Sequence, residues 1–204
     1  GSSPAGGGGS VAPGSSAADL LAWLADRRGL LEFATRGLER GGLPLRVCHN
    51  DAKADNVLIS RETGRRVCVV DLDTVMPGTL LYDVGDLLRS AASTVGEDEP
   101  DASLVGVRWE CAEAIVDGFV SGVQSGAAGN GAALAAAGLT RAERDGLTAS
   151  GWLLAVEQGI RYLTDHLAGD RYYGVRYRGQ NLDRAGNQLA LAAAFEARGW
   201  APRS

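Results

Sequence analysis

Apolar positions recur at roughly helical spacing through Leu20, Trp23, Leu24, Leu30, Leu31 and Leu38, which predicts a helix from Ser16 to Arg40. Ser16-x-x-Asp19 supplies an acidic capping box at its start, Gly29 is a candidate break, and Gly41-Gly42 ends it. Val107, Cys111, Ile115 and Phe119 repeat at i,i+4 and predict an amphipathic helix over Leu104 to Val123, with these four as core residues. Thr140-x-x-Glu143 is a second capping box and opens a long helix to about Leu167, stopped by Gly169. A last helix is expected over Asn181 to Ala197, with Leu182, Leu189 and Phe195 inward. The period changes between the first two helices. Asn56–Ser60 and Val67–Asp71 are short apolar runs around a Thr63-Gly64 turn, so a β-hairpin is expected. Pro77-Gly78 reads as a turn, and Asp83 as the N-cap of a helix through Ala92, with Asp86 and Arg89 as an i,i+3 pair.

Residues 1–17, GSSPAGGGGSVAPGSSA, break this patterning and read as a flexible linker, because Gly and Ser lose much entropy on ordering and bury nothing. The GGGG run is not read as a phosphate loop, since no apolar strand precedes it and no suitably spaced Lys follows. Ser125 to Gly138 is Gly/Ala-rich and is expected to be a mobile loop. Residues 18–204 then form one globular unit.

A net charge of −5 argues against a nucleic-acid partner, and no apolar stretch is long enough to span a membrane. Cys48, Cys68 and Cys111 lack C-x-x-C spacing and read as buried thiols. With no charged-then-apolar leader in view, a cytoplasmic location is expected.

The candidate chemistry lies between Val47 and Arg89. His49-x-Asp51 is followed by Asn56 five residues later, and by Asp71 at the end of an apolar run. This is the order of a phosphoryl-transfer catalytic loop. One carboxylate, Asp51, orients the attacking hydroxyl and accepts its proton, while an amide oxygen and a second carboxylate, Asn56 and Asp71, suit Mg²⁺. Lys53 stands where a catalytic-loop cation reaches the transferred phosphoryl group of ATP; the alternative is a solvated surface charge. The hairpin brings Asn56 and Asp71 together. Strand alternation sets Asp73 on the same side as Asp71, as a second metal or substrate contact or as a cap of the next turn.

The run HNDAKADNVL…VVDLDTVMPGTLLYDVGDLLR resembles the aminoglycoside phosphotransferase and choline kinase superfamily. With EQGIRYLTDHLAGDRYY it is most similar to the N-acetylhexosamine 1-kinase branch, and the resemblance runs from about Leu45 onward. It implies that Asp83 props the catalytic loop that begins at His49. It also implies that Arg161 and Tyr172 contact the sugar, alongside Asp51 and Asp73. A forked donor and a flat ring suit a neutral sugar, whereas an Arg161–Asp165 i,i+4 pair is the structural alternative. Trp200 either closes over the sugar or anchors packing, and His166 complements its helix C-terminus.

Upstream of residue 45 no alternating β pattern marks a nucleotide-binding lobe with its strand-borne Lys. The expected fold is therefore mainly α with one small β-hairpin: a protein-kinase-like C-terminal lobe, its N-terminal lobe largely missing. The expected function is transfer of the ATP γ-phosphoryl group to the anomeric hydroxyl of N-acetylglucosamine or N-acetylgalactosamine. A non-catalytic kinase-like binding module, or a kinase of homoserine, choline or an aminoglycoside, stays open.

Overall fold

The computed structural model describes residues 15–32, 43–125 and 138–202. The N-terminal part of the linker expectation, the end of the first helix and most of the Gly/Ala-rich loop lie outside the described residues. Five helices, α1 (Ala17–Asp26), α2 (Leu80–Ala91), α3 (Trp109–Ser125), α4 (Arg141–Leu167) and α5 (Gln180–Ala197), carry most of the described chain. Four short strands, β1 (Arg46–Cys48), β2 (Val57–Ile59), β3 (Arg66–Val69) and β4 (Met76–Gly78), make two separate two-stranded antiparallel sheets, β1–β4 and β2–β3.

Local signals fix the helix starts. The Ser16 hydroxyl accepts the Asp19 N–H while the Asp19 carboxylate accepts the Ser16 N–H. Thr140 and Glu143 do the same for α4. The fully buried Glu143 carboxylate also takes a two-pronged contact from Arg46 at 2.9 and 2.8 Å, which ties β1 to the start of α4.

The core lies where α2, α4 and α5 meet, around Leu88, Trp152, Leu189, Leu191 and Phe195. Gly85 permits the close approach of α2 to α4, because a Cβ there would stand 2.5 Å from the Ser150 carbonyl oxygen. Trp200 packs edge-on to Trp109 and stacks on Phe195, so it is a packing anchor on the α3–α5 side. Among the described residues no helix is long and apolar enough to cross a membrane.

Several sequence expectations are corrected. Among the described residues there are two small sheets where one hairpin was expected, because Pro77-Gly78 is not a turn: Val47 pairs with Pro77, and Arg46 with Gly78. A proline is tolerated in a two-stranded sheet, where every strand is an edge. The first helix ends at Asp26, before Gly29, with Arg27 as its C-cap, and residues 28–32 resume helical geometry. Arg27 lies over the Trp23 ring and pairs with Glu196, which holds the bend. Leu104 ends a 3-10 turn and Val107 bridges Ser93, so α3 starts only at Trp109. The N-cap of α2 is Thr79, not Asp83. Residues Leu72–Thr74 form a 3-10 turn, so strand alternation does not set the side of Asp73; Leu72 and Asp73 are both exposed. Of the three thiols only Cys48 is buried, and Cys68 is exposed on β3.

Candidate active site

β1 delivers the chain into an irregular loop, residues 49–53, whose backbone is held from three sides. The Asp83 carboxylate, one turn inside α2, accepts the N–H groups of His49 and Asn50, both at 2.8 Å. Asn50 sits in the left-handed region at φ 61°. Its amide nitrogen donates to the carbonyls of Cys48, Thr74 and Met76. Gly78 is required opposite it, since a Cβ would stand 2.4 Å from Asn50 Oδ1. The Thr74 hydroxyl donates to the His49 carbonyl at 2.6 Å. His49 Nε2 lies 2.9 Å from the Val70 carbonyl, which only accepts, so Nε2 carries the proton. Nδ1 of that ring is buried with no hydrogen-bond partner among the described residues. Further on, the Ser90 hydroxyl accepts the Ala54 N–H and donates to the Asp86 carbonyl, which fastens the loop to α2 a second time.

This frame presents Asp51 with its two oxygens in different settings. Oδ2 accepts from Lys53 Nζ at 2.7 Å and from Asn56 Nδ2 at 3.0 Å. Oδ1 accepts no hydrogen bond among the described residues. Asn56, buried, also donates to the Asp51 carbonyl at 2.8 Å. The hydrogen bond from Lys53 to Asp51, helped by the nearby charges of Asp86 and Asp71, raises the lysine's pKa and keeps it charged.

The hairpin closes the arrangement. Val57 pairs with Val69, and the Val70 N–H donates to the Asn56 carbonyl at 2.9 Å, which sets Asp71 close to Asn56. Asp71 is left-handed at φ 62° and exposed, and its carboxylate makes no hydrogen bond among the described residues. With Asn56 Nδ2 turned toward Asp51, its Oδ1 and the Asp71 carboxylate are hard oxygen donors with no hydrogen-bond partner among the described residues. One amide and one carboxylate are a fitting protein contribution to a largely hydrated Mg²⁺ shared with phosphates.

Asp51 also lines a cleft of about 120 Å³ between the loop, α2 and α4, together with Asn50, Tyr82, Asp86, Glu157, Gln158 and Arg161. Arg161 is solvent-exposed at its mouth, where it reaches Gln158 and the face of Tyr173. It does not pair with Asp165. That carboxylate accepts the N–H groups of Arg171, Tyr172 and Tyr173 and the Asn181 amide, and so organises the turn after α4. Burial acts to raise the Asp165 pKa, but these backbone donors outweigh it and hold the group below the usual carboxylate value. Tyr172 is 77% exposed, packs edge-on to Tyr173 and does not line the cleft. Asp73 does not line it either. Tyr82, Glu157 and Gln158 were not singled out from sequence. Their signal was polar residues on the otherwise buried inner faces of α2 and α4.

Comparison with known proteins bears on this loop. A model of the phosphotransferase enzyme family, APH, matches residues 11–113, half of the chain, and that span includes His49, Asp51, Asn56, Asp71 and Asp83. An uncharacterized kinase-like protein of Caenorhabditis elegans is 41% identical over 46 residues, which are 22% of this chain and 12% of that protein. The chain thus matches only a small part of that relative's length. A carboxylate hung on a braced loop, with one oxygen tied and one free, sits inside the region the family model recognises, and the chain belongs to the phosphotransferase enzyme family.

Proposed function

We propose that the chain is the catalytic and acceptor-binding part of an ATP-dependent phosphotransferase whose acceptor is the anomeric hydroxyl of an N-acetylhexosamine. The observation that carries this reading is the division of labour at Asp51: Oδ2 is held by Lys53 and Asn56 while Oδ1 remains available at the cleft. An acceptor hydroxyl bonded to Oδ1 is oriented for in-line attack. As its oxygen bonds to the γ-phosphorus, the bond to the departing ADP oxygen breaks and the hydroxyl proton passes to Asp51. Lys53 can share its charge with the moving phosphoryl group, where negative charge must be neutralised. Mg²⁺, when bound with the nucleotide, neutralises phosphate charge; Asn56 and Asp71 are the residues that would hold it.

The sugar assignment is supported by Arg161 at the cleft mouth and by the sequence resemblance. Large apolar side chains exposed on both small sheets, Val47, Ile59, Val67 and Met76 among them, support the further proposal that a nucleotide-binding lobe covers this side. The test is phosphorus NMR of the full-length protein with ATP, Mg²⁺ and N-acetylglucosamine. Appearance of a sugar 1-phosphate is expected. Turnover of choline or kanamycin with none of the sugar would replace the sugar reading with another branch of the family.

A further inference from the structure

A second cavity, of about 180 Å³, shares only Arg89 with the cleft that Asp51 lines. Lys53, Ala54 and Asp55 border it, and so do Val95, Gly96 and Glu97 from the connection between α2 and α3. We propose that residues 96–101 of that connection are a lid, latched over this cavity by charge, which swings open as a unit when the latch is screened by salt. The inference goes beyond the phosphotransferase reading and does not depend on it.

The connection is fixed at its base and held at its tip by polar contacts. At the base Ser93 bridges Val107, the Thr94 N–H donates to the Gly106 carbonyl at 3.0 Å, and Val105 and Val107 pack on the core. The tip, Gly96 to Asp101, buries no large apolar side chain. Asp98 Oδ1 accepts from Arg184 Nε at 2.7 Å and from Gln180 Nε2 at 3.1 Å, and its Oδ2 accepts from Arg176. Glu97 accepts from Arg89 Nη1 at 2.9 Å. The Asn187 amide donates to the carbonyls of Gly96 and Glu99 at 3.0 and 3.1 Å. Within the tip the Glu99 N–H donates to the Gly96 carbonyl, so it moves as a preformed turn.

The surface beneath suits repeated uncovering. Toward the tip and the cavity α5 presents Gln180, Asn187 and Gln188, none more than 2% exposed. Amides exchange a protein partner for water at little net cost, whereas an apolar face resists exposure. The anchors also keep other partners when the tip leaves. Arg184 still donates to the Gly174 carbonyl and to Asn181 Oδ1, and Gln180 Oε1 still accepts the Arg176 N–H. Arg89 still holds Asp86, and Gln188 still donates to Asn187. The docking surface for the tip is therefore preformed. The contacts that are lost include exposed ion pairs, with Arg176 at 75% and Asp98 at 42% side-chain exposure, which is where salt screens most effectively.

The experiment places a thiol inside the cavity of the full-length protein. Ser93 lines the cavity and is 7% exposed. Ser93→Cys is made in a Cys68→Ser background, because Cys68 is exposed, and the Cys68→Ser protein alone serves as the blank. Labelling by a neutral disulfide reagent is expected to be slow at low salt and about tenfold faster in ~1 M NaCl, where the screening length falls to about 3 Å. Asp98→Asn, and independently Arg176→Gln, should label about tenfold faster at low salt, the loss of a charge-assisted hydrogen bond, and should lose most of the salt response. Helical circular dichroism should be unchanged in both, since both side chains are exposed. Slow labelling at every salt concentration, in the variants as in the parent, overturns the lid and makes residues 96–101 a fixed wall. Fast labelling of the parent at low salt, unmoved by either substitution, overturns it as well, because the cavity then stands open. A salt response that survives both substitutions undiminished overturns the latch.

Discussion

The Asp83 carboxylate grips the backbone of the 49–53 loop at His49, accepting its N–H at 2.8 Å while its other oxygen takes the N–H of Asn50. A helix side chain thereby fixes two successive peptide groups immediately before Asp51. Position and chemistry are linked here: the left-handed Asn50 aims Asp51 at the cleft, and Asp83 stabilises that conformation.

Replacing Asp83 with Ala should therefore cost about 2–3 kcal/mol of stability, the loss of hydrogen bonds to a charged acceptor, and should reduce phosphoryl transfer through misplacement of Asp51. Urea unfolding gives the first quantity. Hydrogen exchange gives a local check, since the His49 and Asn50 amides should exchange much faster in the variant. Unaltered protection of both amides would count against the loop being held this way.

Asp51→Asn should separate catalysis from stability. Its ion pair with Lys53 is partly solvated on both sides, with side-chain exposures of 29% and 36%, and such pairs contribute little to folding. The melting temperature should hardly move. The rate should fall by about 10²–10⁴ in kcat, because the proposed proton acceptor is gone while acceptor binding persists. A fall in KM-based affinity with kcat preserved would assign Asp51 to binding alone.

The legibility of this chain followed the range of its interactions. The capping boxes at Ser16 and Thr140 involve atoms three residues apart, and both were readable. The β2–β3 hairpin was readable for the same reason, because its turn lies between its strands. Pro77-Gly78 was misread because its partner, Arg46–Val47, is some thirty residues away and nothing local announces it. At the site, the spacing of His49, Asp51, Asn56 and Asp71 was visible in sequence. The tie between Asp83 and the loop came from family resemblance, since residue types alone suggested a helix cap. The Arg161–Asp165 i,i+4 pair, the structural alternative to a sugar contact, does not form, because the Asp165 carboxylate is taken by backbone donors from the turn after α4. Glu157 and Tyr82 reach the same cleft from two different helices and were invisible to spacing.

Acid sensitivity should reside in the Arg46–Glu143 contact. Burial acts to raise the Glu143 pKa, but the hydrogen bonds from Arg46 and from Thr140 outweigh it and hold the pKa below its ordinary value of 4.5. A depressed carboxylate contributes stability that is present above the unfolded-state value and is lost as pH falls through the folded-state value. Wild-type stability should therefore decline more steeply below about pH 4.5 than that of Glu143→Gln. At neutral pH, Glu143→Ala should be destabilised by about 3–5 kcal/mol, since it strands the largely buried Arg46 guanidinium. Chemical denaturation across this pH range measures both effects, and parallel curves for wild type and Glu143→Gln would sink the assignment.

The sheets should prove to be the adhesive side of the molecule. Val47 is 80% exposed and Val67 is 63% exposed, whereas the inner faces of α2, α4 and α5 are tightly buried. Large apolar side chains at strand edges favour both hydrophobic contact and edge pairing, so a covering partner is expected, and the nucleotide-binding lobe proposed above would supply it. The 204-residue chain on its own should self-associate in sedimentation experiments, and Val47→Lys with Val67→Lys should return it to a monomer without changing its helical circular dichroism. In the full-length protein the same pair of substitutions should weaken ATP binding more than acceptor binding, since it disturbs the lobe contact and leaves the cleft around Asp51 and Glu157 untouched. Hydrogen exchange at β2 and β3 supplies the deciding observation: strong protection of these amides in the full-length protein, lost in the isolated chain, is the expected result, and equal exchange in both would mean that no lobe covers this face.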